Sequence, residues 1–260
     1  MTTTMFDLSG KVAVVTGGNS GIGLGMASGL ASAGCSIVIA SRNVGKSSAA
    51  AQEIETQYGV RATAIELDVR NPESIDEMPG KVLAEFDRLD ILVNNAGMNL
   101  RKPPQEFSVE EWDEIQNTNV RSVFLCSKAV YPLLKGTGGK IINTGSLTSL
   151  VGSGRTSPYA TSKAGVLQLT RSLAVAWAPD NIQVNAILPG YIATPLMIQA
   201  RKDSPGLDEH VVQRTPAGRW GTPEDMAGPA VFLASRASDF VTGEFLVVDG
   251  GYVQGLFLIP

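Results

Sequence analysis

The chain has 260 residues, 43% of them hydrophobic, enough to bury a large core in one α/β domain. A formal net charge of -4 with no run of Lys or Arg argues against a nucleic-acid partner, whose phosphates are gathered mainly by clustered cations. No apolar stretch approaches the roughly 20 residues that span a bilayer, and residues 1–10 lack the features of a signal peptide, so no membrane partner and a cytoplasmic location are expected.

Along the chain, short runs rich in Val, Ile and Ala alternate with longer amphipathic stretches, the pattern of β-α-β units. Strands are expected at residues 11–16, 36–40, 62–67, 91–94, 140–144, 183–187 and 245–248. Several are continuously apolar, as in a parallel sheet covered on both faces. Helices are expected at residues 22–33, 46–58, 72–86, 109–134, 158–178 and 223–234, with Pro79 placed to break or kink the third.

Cys35 and Cys126 fall in apolar patterns that read as helical, without a nearby His or second Cys. Both are expected in the core, and no metal site is expected. His210, the only histidine, lies in a polar stretch that reads as a loop. Residues 195–221 have weak periodicity and many Pro, Gly and charged residues, as a substrate lid would, within a single domain spanning residues 1–260.

Directly after the first strand comes Thr16-Gly17-Gly18-Asn19-Ser20-Gly21-Ile22-Gly23. Glycines here permit a tight turn, and the following helix N-terminus offers free N–H groups to a pyrophosphate. Three residues separate Gly17 from Gly21, and this version of the turn resembles the classical short-chain dehydrogenase/reductase family. The resemblance extends through Asn94-Asn95-Ala96-Gly97, Ser146, Tyr159-x-x-x-Lys163, and Pro189-Gly190 with Thr194, in the family's order over nearly the whole chain. It implies a single-domain Rossmann fold with a doubly wound seven-stranded parallel sheet. The implied activity is NAD(P)-dependent transfer of a hydride between nicotinamide and a carbonyl or secondary alcohol.

On that resemblance the cofactor is held by Gly17, Asn19, Ser20, Gly21, Ile22 and Gly23 at the turn, and by Asp68 and Val69 at the adenine. Asn95, Ala96 and Gly97 line the adenosine ribose. Pro189, Gly190, Ile192 and Thr194 lie at the nicotinamide, Ile192 and Thr194 holding its carboxamide. A carboxylate at the end of the second strand would favour NAD, but the chain there reads Ala40-Ser41-Arg42-Asn43. Arg42 can fork onto the extra phosphate of NADP and Ser41 can donate to it, so NADP(H) is preferred; NAD(H) remains possible if Arg42 only stacks on adenine.

Tyr159 and Lys163 are four apart on an expected helix and so share a face. A free tyrosine titrates at about 10, and a nearby ammonium favours its phenolate; lowering it to about 7 needs ~4 kcal/mol. In the family's mechanism Tyr159 exchanges the substrate proton, Lys163 supplies the cation and bonds the nicotinamide ribose, and Ser146 holds the substrate oxygen. Asn119, in a stripe of Trp112, Ile115, Asn119, Val123, Cys126 and Val130, would hold a water connecting the lysine to solvent. The other reading of Asn119 is a structural amide bonded within its helix.

For the substrate, residues 216–221, 139–143 and 5–8 resemble the branch of the family acting on keto sugar acids of the 2-dehydro-3-deoxy-D-gluconate or gluconate type. Arg155, four residues before Tyr159, and Arg101, after the Asn-Asn-Ala-Gly turn, are candidates for the substrate carboxylate. One alternative is a 3-oxoacyl-[acyl-carrier-protein] reductase, less suited because an acidic chain would meet an acidic carrier. Another is a dinucleotide-sensing interaction protein, which would not need Asn119, Ser146, Tyr159 and Lys163 together. The apolar tail Leu256-Phe257-Leu258-Ile259-Pro260 suggests a subunit contact in a homotetramer, the common assembly of the family.

Overall fold

The computed structural model describes residues 5–195, 197–198, 201 and 204–254. Seven strands, β1 (Val12–Thr16), β2 (Ser36–Ser41), β3 (Ala62–Glu66), β4 (Ile91–Asn94), β5 (Gly139–Thr144), β6 (Ile182–Pro189) and β7 (Phe245–Val248), form one parallel sheet. Their order is β3-β2-β1-β4-β5-β6-β7, with Val14 paired to Val38 on one side and to Leu92 on the other. The chain winds outward from β1 in one direction, then restarts at β4 in the other. Such a reversal opens a crevice beyond the carboxyl ends of β1 and β4.

The period of two along each strand sends side chains to opposite faces, and both faces are covered. Ala13, Val15, Ile37 and Ile39 pack against α1 (Gly21–Ser32), α2 (Val44–Tyr58) and α8 (Ala227–Ala234) through Met26, Leu30, Ile54 and Leu233. Val12, Val14, Val38 and Leu92 pack against α3 (Pro72–Phe86), α5 (Ser122–Leu134) and α6 (Ser157–Trp177) through Ile75, Val82, Val130 and Leu173. This is the doubly wound Rossmann arrangement that the family resemblance implied.

Several local expectations are corrected. α3 runs unbroken through Pro79, because Ile75, Met78, Val82 and Phe86 bury one continuous face that outweighs the backbone hydrogen bond proline removes. The helix expected over residues 109–134 is α4 (Val109–Gln116) and α5 joined by a π-helical turn, Asn117–Arg121. Trp112 is 39% exposed, so the buried stripe begins at Ile115. Cys35 lies in the short connection entering β2 rather than in a helix, and both thiols are buried. Burial raises the Cys126 thiol to about 12 and the Cys35 thiol further, leaving both unreactive. His210 stands exposed on a helix, α7 (Leu207–Arg214), where its polar neighbours form the solvent face. The stretch expected as one helix at residues 223–234 begins with a 3-10 turn, Pro223–Met226.

The segment after β6 leaves the sheet and returns through a closed base. Ala193 N–H donates to the Gly221 carbonyl over 2.8 Å, and Gly221 N–H donates to the Tyr191 carbonyl over 2.9 Å. Trp220 packs edge-on to Tyr191 at that base, 5.6 Å between ring centroids. The tail at residues 256–260 lies outside the described residues.

Candidate functional site

A cleft of about 1630 Å³ follows the carboxyl edge of the sheet and is lined along its length by residues from Gly17 to Tyr252. Gly17, Asn19, Ser20, Gly21, Ile22 and Gly23 form its floor between β1 and α1. Gly17 has φ +64, and a Cβ on it would lie 3.2 Å from the Ala96 Cα. A Cβ on Gly23 would fall 2.4 Å from the Asn95 Nδ2 and 2.5 Å from the Gly17 carbonyl oxygen, so only glycine lets the turn close here. Ser20 begins α1 without a side-chain cap, which leaves the first-turn N–H groups directed at the cleft. A tight turn, an uncapped helix N-terminus and a long cleft fit a dinucleotide pyrophosphate.

Asn95 also holds the turn in place. Its Nδ2 donates to the carbonyls of Thr16 (3.1 Å) and Gly17 (3.2 Å), while the Thr16 hydroxyl accepts from the N–H groups of Asn95 and Ala96. Ala96 and Gly97 line the cleft beside it. The Asn95 side chain is therefore engaged with backbone rather than directed at a ribose.

At one end of the cleft, Ser41 and Arg42 lie at the tip of β2, with Lys46 entering from the first turn of α2. No carboxylate ends β2, and Arg42 is exposed. Lys46 carries chemistry that the sequence reading did not single out; its position three residues after the helix cap Asn43 was the available signal. Asp68 and Val69 line the same end. Arg70 forks onto Asp68 through Nε (3.1 Å) and Nη2 (2.9 Å), and this hydrogen-bonded guanidinium pulls the carboxyl below its usual range.

The other end gathers Ser146, Tyr159 and Lys163 on the cleft wall, with Asn119 behind them. Ser146 leads out of β5 and its hydroxyl accepts from the Thr148 N–H and hydroxyl. Tyr159 and Lys163 share a face of α6, with the ammonium 5.7 Å from the tyrosine ring centroid. Lys163 is 5% exposed and donates to the Thr144 carbonyl over 2.7 Å; burial lowers it to about 8. Burial raises the Tyr159 phenol, opposed by its hydrogen bond to Ser146 and by the charge of Arg101. The downward pull that sequence spacing assigned to Lys163 is supplied here by Ser146 and Arg101, because the lysine is turned toward Thr144.

Asn119 is fully buried in the π-helical turn, a feature that often marks a functional position. Its Nδ2 donates to the Met98 carbonyl (2.9 Å) and to Ser162 Oγ (3.0 Å), and its Oδ1 accepts from the Met98 N–H (2.8 Å). The amide thus ties the loop after β4 to α6 instead of bonding within its own helix.

Among the described residues this end of the cleft carries cations and no carboxylate: Arg101, Arg155 and Arg214 join Lys163, while the acidic lining residues Glu66, Asp68 and Glu114 belong with the group at the β2 end. The loops bearing Arg101 and Arg155 are tied together, since the Lys102 N–H donates to the Arg155 carbonyl over 2.9 Å. Arg214 comes from α7, its guanidinium 4.8 Å from the Tyr252 ring centroid, and weak periodicity hid it in the sequence. Pro189, Gly190, Ile192 and Thr194 complete the lining between the two ends.

Residues 17–253 match the family described as Enoyl-(Acyl carrier protein) reductase. The chain is 46% identical to the 2-dehydro-3-deoxy-D-gluconate 5-dehydrogenase of Escherichia coli (strain K12), covering 97% of this chain and 99% of that one. It is 39% identical to the gluconate 5-dehydrogenase of Gluconobacter oxydans (strain 621H), covering 97% and 98%. Among solved structures, a gluconate 5-dehydrogenase from Burkholderia cenocepacia J2315 in complex with NADP and tartrate superposes with a TM-score of 0.92 at 37% identity, covering 97% and 98%. Sheet order, glycine turn and overall likeness agree, and the chain belongs to the short-chain dehydrogenase/reductase family.

Proposed function

We propose that this protein is an NADP(H)-dependent oxidoreductase interconverting a ketone and a secondary alcohol in a keto sugar acid of the 2-dehydro-3-deoxy-D-gluconate or gluconate type. The observation that carries the reading is the convergence of Ser146, Tyr159 and Lys163 on a cleft end whose remaining charged groups, among the described residues, are arginines. A nicotinamide cofactor supplies or accepts the hydride when bound. Tyr159 Oη gives its proton to the carbonyl oxygen in reduction and takes it from the alcohol in oxidation. Ser146 Oγ, bonded to that phenol, orients the substrate oxygen and, with the Arg101 charge, favours the phenolate, while Lys163 on the same face of α6 bonds the nicotinamide ribose. Asn119 holds the loop after β4 against α6 and so keeps the lysine's surroundings in register for proton exchange with solvent.

Gly17, Asn19, Ser20, Gly21, Ile22 and Gly23 take the pyrophosphate, Ser41 and Arg42 the 2′-phosphate, Asp68 and Val69 the adenine, and Ala96 and Gly97 the ribose, with Asn95 supporting the turn. Pro189, Gly190, Ile192 and Thr194 take the nicotinamide side. Arg101 and Arg155 bind the substrate carboxylate, and residues 195–221 close over it as a lid on a single domain. The exposed Val109, Trp112 and Phe124 along α4 and α5 support burial against further copies in a homotetramer. The free thiols suit a reducing cytoplasm, and no helix among the described residues is long and apolar enough to cross a membrane.

The deciding experiment is a spectrophotometric screen of keto sugar acids, neutral sugars and acyl thioesters against NADPH and NADH. Turnover of keto sugar acids with NADPH is expected. Preference for acyl thioesters would overturn the substrate reading, and absence of any turnover would overturn the enzymatic one.

A further inference from the structure

Beneath the tip of β2 lies a three-membered polar ring. Asn19 Nδ2 donates to Ser41 Oγ over 2.7 Å and to Ser47 Oγ over 3.2 Å, and the two serine oxygens stand 2.7 Å apart. Ser47, on α2, is fully buried, and among the described residues its hydroxyl meets only Asn19 and Ser41. An amide nitrogen can only donate, so the Ser47 proton has one acceptor, Ser41 Oγ. Ser41 then receives two hydrogen bonds, which use both of its lone pairs, and its own proton must point elsewhere. Its nearest internal acceptor, the Asn43 carbonyl, is 3.4 Å away, a weak alternative to an anionic oxygen.

We propose that Ser47 is a positioning residue that fixes Ser41 as an outward hydrogen-bond donor, making the adenosine end of the cleft selective for a 2′-phosphate over a 2′-hydroxyl. Arg42 and Lys46 supply the charge at this end, and both line the cleft beside Ser41. Ser47 supplies direction, because an acceptor-only phosphate gains fully from a committed donor whereas a hydroxyl can bond either way. This inference rests on the NADP(H) reading, and its test separates the two.

Binding of adenosine 2′,5′-bisphosphate and of AMP, which differ only in the 2′-phosphate, to the full chain is measured by calorimetry, which needs neither turnover nor substrate. Wild type is expected to prefer the bisphosphate. Ser41→Ala lowers bisphosphate affinity by about 10-fold, the scale of one hydrogen bond to a charged group, and Ser47→Ala lowers it by roughly threefold to tenfold. Both leave AMP affinity within about twofold, which also reports a folded cleft in each variant. The double variant behaves as Ser41→Ala alone, because Ser47 acts through Ser41. A preference left undiminished by Ser47→Ala overturns the inference while sparing the cofactor reading. Equal weakening of both ligands, or additive losses in the double variant, also overturns it. A wild type without preference overturns the cofactor reading and the inference together.

Discussion

Lys163 donates to the carbonyl of Thr144, 2.7 Å away, from a position almost closed to water. The consequence is a lysine lowered to about 8 by burial from an ordinary 10.5. Below about pH 8 the ammonium is charged in both folded and unfolded chains, and its burial opposes folding by the full shift, on the order of 3 kcal/mol. Between about 8 and 10.5 the unfolded chain holds the proton and the folded one releases it, so stability rises with pH across that window. Lys163→Met should therefore be more stable than wild type at neutral pH in cofactor-free protein. Its advantage should shrink on approaching pH 10.5, as urea denaturation at several pH values would read. A gap that stays constant with pH would contradict the lysine's shift.

Tyr159 carries the opposite constraint. Burial holds its phenol above the ordinary range, so at neutral pH the group is loaded as a proton donor and scarce as a base. Reduction should run on a plateau through neutral pH and fall only in alkali, whereas oxidation should climb with pH. Tyr159→Phe should abolish turnover in both directions, a loss of about 100-fold or more, while cofactor binding persists. Steady-state pH profiles in both directions and a cofactor titration of the variant check this. An oxidation rate indifferent to pH between 7 and 10 would remove the phenol from its assigned role.

Asn119 satisfies three polar groups outside its own helix: the Met98 N–H, the Met98 carbonyl and the Ser162 hydroxyl, which also donates to the Tyr159 carbonyl. Asn119→Leu should destabilise the fold by about 2 kcal/mol, since the Met98 N–H and carbonyl lose their bonds and Ser162 keeps only its bond to the Tyr159 carbonyl. Asn119→Asp should be milder once the carboxyl is protonated, so its stability should improve as pH falls toward 4. Thermal denaturation of both variants at two pH values is the measurement. A neutral effect of the leucine variant would mean that the loop is held elsewhere.

Why the sequence revealed some of this and hid the rest follows from which signals are periodic. The strands were legible because Val12, Val14 and Val38 on one face and Ala13, Val15 and Ile39 on the other make apolar runs too short for helices. The glycine turn was legible because Gly23 admits no side chain against Asn95. The π-helical turn left a fainter trace: Ile115, Asn119 and Val123 are spaced by four twice, and eight residues of regular α-helix would rotate about 80° off that face. Holding one face over that span requires a wider turn, and a polar residue at its middle marked the place. Ser47 and Thr144 left no trace, since a buried hydroxyl or a carbonyl acceptor announces itself only through partners distant in sequence.

Arg101 and Arg155 stand on loops joined by the bond from the Lys102 N–H to the Arg155 carbonyl, so neither guanidinium moves wholly apart from the other's backbone. Both are exposed on the cleft wall, and their use to a carboxylate lies in the fork geometry, which a lysine would not reproduce. Arg155→Ala should raise KM for a keto sugar acid by about 10-fold or more while changing KM for the matching neutral keto sugar by less than about twofold. Arg101→Ala should do the same and also slow turnover, because the Arg101 charge acts on the Tyr159 phenol as well. Arg155→Lys should recover only part of the affinity. Kinetics with the acid and neutral substrate pair would decide the matter: equal losses on both would mean that these arginines shape the loops and do not read the carboxylate.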